Sequence, residues 1–190
     1  MHIFKTCQLI VNQTKACGLF VMTCLAFSML LNGSALAADS QFVEQGKGTF
    51  RWFGIKIYDV KLLVLPSFSG DYLKDRPMTL EFVYDIDIDK NDLVETTLDE
   101  INNLKIGQSQ QCNKKQQWAT ELLSIWPNLK QGDTLKYQLN QDSTSSFYHN
   151  QKAVGAITDR NFSSCFISIW LAADTSAKDL RKKLLGINAR

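Results

Sequence analysis

The stretch Thr49–Leu65, TFRWFGIKIYDVKLLVL, sets the fold class of this chain of 190 residues. β-Branched and aromatic residues dominate the stretch, which favours extended strand over helix. Pro66 ends it, and Gly54 near its start predicts either a bulge or a turn. The stretch is therefore one long bent strand or a β-hairpin, and both interpretations place it in a sheet.

A further strand and two helices are expected after this stretch. Pro77–Tyr84 alternates apolar and polar side chains, which is the period of a half-buried strand. Over 92–107, apolar residues spaced three and four apart predict an amphipathic helix, with Gly107 just past its end. A second helix is expected over about 113–126, because Pro127 prevents its continuation.

The C-terminal part of the chain predicts more strands and then more helices. Three short strands at 134–140, 145–149 and 152–157 should form an antiparallel meander. Helices are expected to begin at Asp159 and at Ser176. Because strands and helices are segregated along the chain, the sequence predicts an α+β fold with helices packed on one face of a largely antiparallel sheet.

The first segment, 1–37, has the pattern of a secretory signal peptide. Its apolar run Leu19–Leu31 is preceded by Lys5 and Lys15 and followed by small residues. We expect cleavage after residue 37, which leaves a single domain over 38–190 in the periplasm. An uncleaved membrane anchor is the alternative, although the run is shorter than the roughly 20 residues that cross a bilayer.

The charge balance argues against a nucleic-acid partner. The chain has 21 Lys plus Arg and 19 Asp plus Glu, and Lys5 and Lys15 are the only charged residues in 1–37. The segment 38–190 therefore carries no net charge, whereas a nucleic-acid binder needs an excess of cations that face phosphates. We interpret the basic run Lys178–Lys183 as a solvated helix face, and weak contact with a membrane surface is the alternative.

Removal of 1–37 would leave two cysteines, Cys112 and Cys165, and one histidine, His149. In an exported chain the two cysteines either form one disulfide or stay small buried hydrophobic residues. One histidine and two distant cysteines do not supply the usual ligands of a zinc site. The sequence has no Gly-rich phosphate loop and no Gly-x-Ser-x-Gly elbow, so neither a metal nor a cofactor is expected.

Short motifs are distributed in a fixed order over nearly all of 38–190. They are Gly46-Lys-Gly48-Thr-Phe-Arg51-Trp-Phe-Gly-Ile-Lys-Ile-Tyr58, Trp118, Ile125-Trp126-Pro127, Gly132-Asp133, Phe147-Tyr148-His149-Asn150, Gly155-Ala-Ile, Phe166-Ile-Ser-Ile-Trp170-Leu171 and Leu180-Arg181 with Leu184-Leu185-Gly186. This series resembles the periplasmic branch of the bacterial chalcone isomerase-like family. The resemblance implies the chalcone isomerase fold, an antiparallel sheet layered with helices around a ligand cleft.

The same resemblance leaves the chemistry open. Plant members close a chalcone into a flavanone, and plastid relatives bind fatty acids. The plant enzymes resemble one another in a strand Arg, a strand Thr and a helical Tyr-x-x-Lys-x-x-x-Asn run. Arg51 is a counterpart of the Arg, but Tyr58 replaces the Thr and none of the three helical residues is matched over 93–100. Loss of one oxyanion donor can cost on the order of 100-fold in rate, so we assign no catalytic residue.

The resemblance to fatty-acid-binding relatives requires an apolar slot and a polar anchor. Arg51 is the candidate anchor for a carboxylate, and Tyr58 is the candidate for a second hydrogen bond. Seven positions separate them, which places them on opposite faces of an unbroken strand unless a bulge at Gly54 reconciles them. The alternatives are that Arg51 lies in water at a strand end and that Tyr58 is a packing residue.

We therefore expect an exported, non-catalytic protein that binds a small amphiphile, such as a fatty acid, between sheet and helices. An intramolecular lyase or isomerase of the chalcone isomerase type, acting on another substrate, is the alternative. A protein-interaction module without a small ligand is the third hypothesis, and a filled cleft would favour it.

Overall fold

The computed structural model describes residues 42–187, and the predicted signal peptide lies outside them. Six antiparallel strands form one sheet in which each strand pairs with its neighbours in sequence. The strands are β1 (Val43–Trp52), β2 (Ile55–Val64), β3 (Met78–Tyr84), β4 (Thr134–Leu139), β5 (Ser145–His149) and β6 (Lys152–Ile157). The expected antiparallel meander is therefore confirmed, and it extends through the whole sheet.

Four helices complete the fold and confirm the α+β class. They are α1 (Lys90–Asn103), α2 (Lys115–Ile125), α3 (Arg160–Leu171) and α4 (Lys178–Leu184), with 3-10 turns at Ile106–Gln108 and Gln110–Cys112. Asp89 and Asp159 cap α1 and α3, because each carboxylate accepts the backbone N–H two residues later. Within 42–187, none of these helices has the length and apolar character needed to cross a membrane.

The chain reverses between β1 and β2 at a tight turn. Phe53 and Gly54 both have positive φ, 47° and 84°, and this geometry joins two antiparallel strands through two residues. Thr49–Leu65 is therefore part of a hairpin, and the interpretation as one bent strand is wrong. The tip of the hairpin is apolar and exposed, since Trp52, Phe53 and Ile55 are 60%, 89% and 61% exposed.

A register shift within this hairpin decides which side chains face the helices. Phe50 pairs with Tyr58, whereas Arg51 pairs with Lys56, so Ile57 is an extra residue on β2. Such a bulge bends the strand locally and redirects its side chains. Ile57 and Tyr58 consequently line the same interior space although they are adjacent in sequence.

Aromatic side chains fill the interior between β4, β5 and α3. Phe162 and Phe166 stack with ring centroids 5.1 Å apart, and Tyr137 and Phe147 contact Phe166 at 4.7 and 5.7 Å. All four side chains are at most 2% exposed. We call these four residues the aromatic cluster, and Trp118 of α2 packs edge-to-face on it through Phe162.

A disulfide joins Cys112, at the end of the second 3-10 turn, to Cys165 in the middle of α3. The sequence left open whether these cysteines are bonded, and in the structure they are, with Cα atoms 6.0 Å apart. The bond spans 53 positions. In the chain-entropy model a loop of this size stabilises the fold by about 4 kcal/mol.

The last helix lies directly against the first strand. A Cβ at Gly46 would overlap the carbonyl oxygen of Lys183, so only glycine allows α4 to approach β1 this closely. The side-chain amide of Gln45 donates a hydrogen bond to the carbonyl of Leu185 at 3.1 Å. The two ends of the described chain are thus tied to each other.

Candidate ligand-binding site

A cavity of about 410 Å³ lies between the β1–β2 side of the sheet and the helices α1 and α3. Its volume falls in the range of small-molecule sites, roughly 300–1,000 Å³. The lining residues are Phe50, Trp52, Ile57, Tyr58, Phe82, Tyr84, Ile88, Asp92, Leu93, Thr96, Thr97, Glu100, Trp126, Leu135, Phe166, Ile169, Trp170, Ser176 and Ala177. Most of them are apolar, and the aromatic ones come from strands and helices on both sides of the space.

The floor of the cavity is aromatic. The ring of Tyr58 lies 5.2 Å from that of Phe50, 5.3 Å from that of Phe82 and 5.6 Å from that of Tyr84. Trp170 of α3 closes the opposite side, with its ring 5.0 Å from Phe82. This arrangement offers continuous apolar contact to a hydrocarbon chain while leaving open space between the rings.

Tyr58 lies at the cavity, with its hydroxyl at the junction of sheet and helix. The indole Nε1 of Trp170 donates to the Tyr58 hydroxyl oxygen at 3.0 Å. Because the oxygen accepts this bond, the hydroxyl proton remains available for an acceptor on a ligand. Burial, and to a smaller degree the charge of Glu100, raises the pKa of Tyr58, so this phenol is a neutral donor at neutral pH.

Trp126 is a second lining residue with a polar side-chain atom, and in the sequence it belongs to the family motif Ile125-Trp126-Pro127. It caps the C-terminal end of α2 and is 3% exposed. Within residues 42–187 its indole Nε1 has no hydrogen-bond partner. An indole N–H can only donate, and a buried donor without a partner costs about 1–3 kcal/mol.

The rim of the cavity is polar and acidic. Asp92, Thr96 and Glu100 are spaced four residues apart on α1, which puts them on one stripe of the helix. Asp92 and Thr96 are exposed, as is Ser176 before α4, and the Ser176 hydroxyl donates to the Glu100 carboxylate at 2.6 Å. Among the described lining residues there is no Lys, Arg or His. The sequence alone assigned these α1 residues no role in binding.

Arg51, by contrast, lies outside the cavity. It is exposed, it alternates with the lining residues Phe50 and Trp52 along β1, and its guanidinium donates to the carbonyl of Gly54 at 3.2 Å. Arg51 was the candidate anchor for a ligand carboxylate, but its side chain does not line this cavity. Arg51 and Tyr58 do not meet, because the bulge lies at Ile57 of β2 and not at Gly54.

His149 belongs to a turn outside the cavity. Asn150 and Gln151 have positive φ and connect β5 to β6, as the sequence predicted for a tight hairpin. Asp133 lies 2.9 Å from the His149 ring and accepts from the Asn150 amide at 2.7 Å. The cluster holds the turn together, and among residues 42–187 no group of three or more side chains is arranged to hold a metal ion.

Comparisons with known proteins give a family and a fold. A family profile described as chalcone isomerase-like matches residues 31–186. An uncharacterized protein of Haemophilus influenzae is 28% identical over 142 residues, which cover 74% of this chain and 66% of that protein. A solved fatty-acid binding protein of Arabidopsis thaliana superposes with a TM-score of 0.61 at 9% identity, covering 77% of this chain and 87% of that one. At such low identity this likeness shows the fold alone.

Proposed function

The chain belongs to the chalcone isomerase-like family, and from this premise we propose that it binds a small amphiphile in the cavity between sheet and helices. The ligand has one long apolar chain and one polar head group, and the protein binds it without changing it chemically. The proposal includes export to the periplasm after cleavage of residues 1–37.

The gradient from an apolar floor to a polar rim carries this proposal. Phe82, Tyr84 and Trp170 are at most 9% exposed and bound the deep part of the cavity, whereas Asp92 and Thr96 lie at its exposed edge. An amphiphile has the same two parts. Each methylene removed from water contributes about 0.8 kcal/mol, so a hydrocarbon chain in this space provides most of the affinity.

The Arabidopsis fatty-acid binding protein supports the proposal, because it places ligand binding on the same fold. At 9% identity its ligand contacts are not carried over to this chain. Lipid-like ligands in general are therefore the class to test, with fatty acids as one member of it.

The residues that line the cavity do not favour the catalytic alternative. Closing a ring through an anionic intermediate needs donors aimed at the developing negative charge. Tyr58 and Trp126 are two neutral donors, but Asp92 and Glu100 add negative charge and no cation lines the described cavity. A protein-interaction module without a ligand is also disfavoured, since the cleft is not filled.

The proposal of export is supported by the N-terminal sequence pattern and by the Cys112–Cys165 disulfide, a bond that persists in oxidising compartments. It is tested by the intact mass of the protein recovered from a periplasmic extract. We expect a chain that starts at Ala38 and carries one disulfide. Full-length protein confined to the cytoplasm contradicts export.

Ligand binding is tested by titrating the delipidated protein with dodecyl-chain probes and measuring the change in tryptophan fluorescence. Trp52, Trp126 and Trp170 all line the cavity, so occupancy changes their emission. We expect saturable binding of one probe per chain, and we expect Ile169→Trp, which fills the cavity from the α3 side, to weaken it by about tenfold or more.

Arg51→Ala is the matched control for this titration, since Arg51 belongs to the same hairpin as Tyr58 and lies outside the cavity. Its affinity should stay within about twofold of the parent. Absence of saturable binding for every probe contradicts the proposed function. Turnover of a chalcone or enone that is lost in Tyr58→Phe supports the enzyme alternative instead.

A further inference from the structure

We propose that the head group of the bound amphiphile is a hydrogen-bond donor without negative charge, such as an amine or an alcohol, and that Asp92 and Glu100 select it. The inference rests on the proposed function, because it concerns the same cavity. It makes free fatty acids poor ligands of this family member.

Two carboxylates lie where the cavity meets solvent. Asp92 and Glu100 lie on the same stripe of α1 and line the cavity where it meets solvent. The deep lining is formed by buried aromatic and aliphatic side chains, which hold the hydrocarbon chain. A ligand whose chain lies among those side chains must place its head group at this rim, beside the two acids.

No cation among the described lining residues neutralises Asp92 and Glu100. Neither Asp92 nor Glu100 takes part in any ion pair within 42–187. Lys56, the cation nearest in sequence to Tyr58, is held by Asp59 and Asp85 at 2.8 and 2.9 Å and does not line the cavity. A negatively charged head group would therefore meet two like charges and no opposite one.

The rim also has spare capacity to accept hydrogen bonds. Glu100 accepts one bond, from Ser176, and an ionised carboxylate can accept about four. Thr96, between the two acids on the same stripe, adds a hydroxyl. The rim is thus dominated by acceptors, and an ammonium or hydroxyl group supplies the donors that it lacks, with charge-assisted bonds being the stronger ones.

Trp126 is a further lining residue with a polar side-chain atom. Trp126 is 3% exposed and lines the cavity, and its indole N–H has no hydrogen-bond partner in the described chain. The aromatic cluster next to it leaves no such group, since Tyr137 bonds both Ser145 and Ser163. An indole N–H only donates, so the preference for an ammonium head group rests on Asp92 and Glu100 and not on Trp126.

The test compares three probes with the same chain and different heads: dodecylamine, dodecanol and dodecanoate. Each is titrated into the delipidated protein at neutral pH, below the concentration at which it aggregates. We expect dodecylamine to bind most tightly, dodecanol next, and dodecanoate more weakly than dodecylamine by about tenfold or more. Added salt should narrow the gap between the charged probes, because the rim is exposed.

The variant that tests the role of the acids is Asp92→Asn combined with Glu100→Gln. Both changes keep the shape and remove the charge, so the preference for the amine over the carboxylate should fall to about twofold or less. The matched control is Glu95→Gln with Asp99→Asn, which removes two charges from exposed positions of α1 that do not line the cavity. The control should keep the ranking of the parent.

Two negative results are distinguishable. If dodecanoate binds most tightly, or the ranking survives in the Asp92→Asn, Glu100→Gln protein, the inference is overturned and the proposed function stands. If none of the three probes binds saturably to the parent, the proposed function itself fails.

Discussion

The two ends of the interior are built from the same kinds of residues, yet one is solid and the other is hollow. In the aromatic cluster every side chain is at most 2% exposed and contacts another ring. Around the cavity Phe50 and Tyr58 are only half-buried, and the rings border open space although Trp170 contacts Phe82 across it. Phe166 belongs to both ends and forms the wall between them.

Hydrogen bonding separates the two ends more clearly than composition does. At the solid end Tyr137 donates to the Ser163 carbonyl and accepts from Ser145, while the Trp118 indole donates to Asp159. At the hollow end the Trp126 indole has no partner in the described chain. At the hollow end the Trp170 indole does donate to the Tyr58 hydroxyl, so the contrast in hydrogen bonding rests on Trp126.

The strongest test of this contrast is truncation of one phenylalanine at each end. Phe162→Ala removes a fully buried ring and should destabilise the protein by about 3–5 kcal/mol. Phe50→Ala removes a ring that already borders open space, so its cost should be about 1–2 kcal/mol. Urea denaturation of both variants measures the difference, and equal losses would contradict a hollow end.

Removal of the disulfide tests how firmly the solid end is held. Cys112→Ala combined with Cys165→Ala should lower the free energy of unfolding by about 2–4 kcal/mol, because the unfolded chain regains the freedom of a 53-position loop. Dodecyl-probe affinity, measured on the folded variant, should change little, since neither cysteine lines the cavity. A loss of binding larger than the loss of stability would show that the two ends are coupled.

Enlarging a small side chain should have opposite effects at the two ends. Ser163→Leu adds volume next to the aromatic cluster, where Ser163 is fully buried, and should destabilise by about 1–3 kcal/mol. Thr97→Leu, at a buried position on the cavity wall, has room to grow and should leave stability within about 1 kcal/mol of the parent while weakening ligand binding. Thermal denaturation and probe titration of each variant check both statements.

The smallest expected effect concerns the turn beyond the solid end. Hydrogen bonds from the Asn150 side chain and from the backbone N–H of Lys130, together with His149, lower the pKa of Asp133 to about 2. A carboxyl with a lowered folded-state pKa stabilises the protein above its unfolded value near 4, and this contribution is lost as the pH falls towards 2.

Asp133→Asn should therefore cost about 1 kcal/mol at neutral pH and flatten the fall in stability between about pH 5 and pH 2. Denaturation midpoints across that range measure it. Asp99→Asn, an exposed change on α1, is the control and should keep the acid slope of the parent. An unchanged slope in the Asp133 variant would remove this cluster from the account of acid stability.

Periodicity predicts most of the fold, because local patterns of apolar residues decide which segments become strands and helices. Pro77–Tyr84 alternates and is β3, and the helix expected over 92–107 is α1 with a 3-10 turn. The hairpin was one of two interpretations of Thr49–Leu65, since Gly54 is compatible with both a turn and a bulge. The family resemblance, carried by motifs in order, is confirmed by the match over 31–186.

The site was harder to predict, because it depends on side-chain direction across elements. One extra residue at Ile57 is enough to turn Tyr58 towards the helices, and no local signal marks that bulge. Asp92 and Glu100 are visible in the sequence with the spacing of one helix stripe, but that pattern is usually a solvated surface. Only the sheet opposite α1 makes them the rim of a cavity.

The close packing of α4 on β1 also affects the order in which the protein folds. Gly46 and Gln45, near the start of the described chain, find their partners Lys183 and Leu185 only near its end. The first strand is therefore covered only after the α4 segment has become available, since folding proceeds from the N-terminal side. A chain in which α4 has not formed leaves that strand uncovered, so α4 is the element that completes the packing of β1.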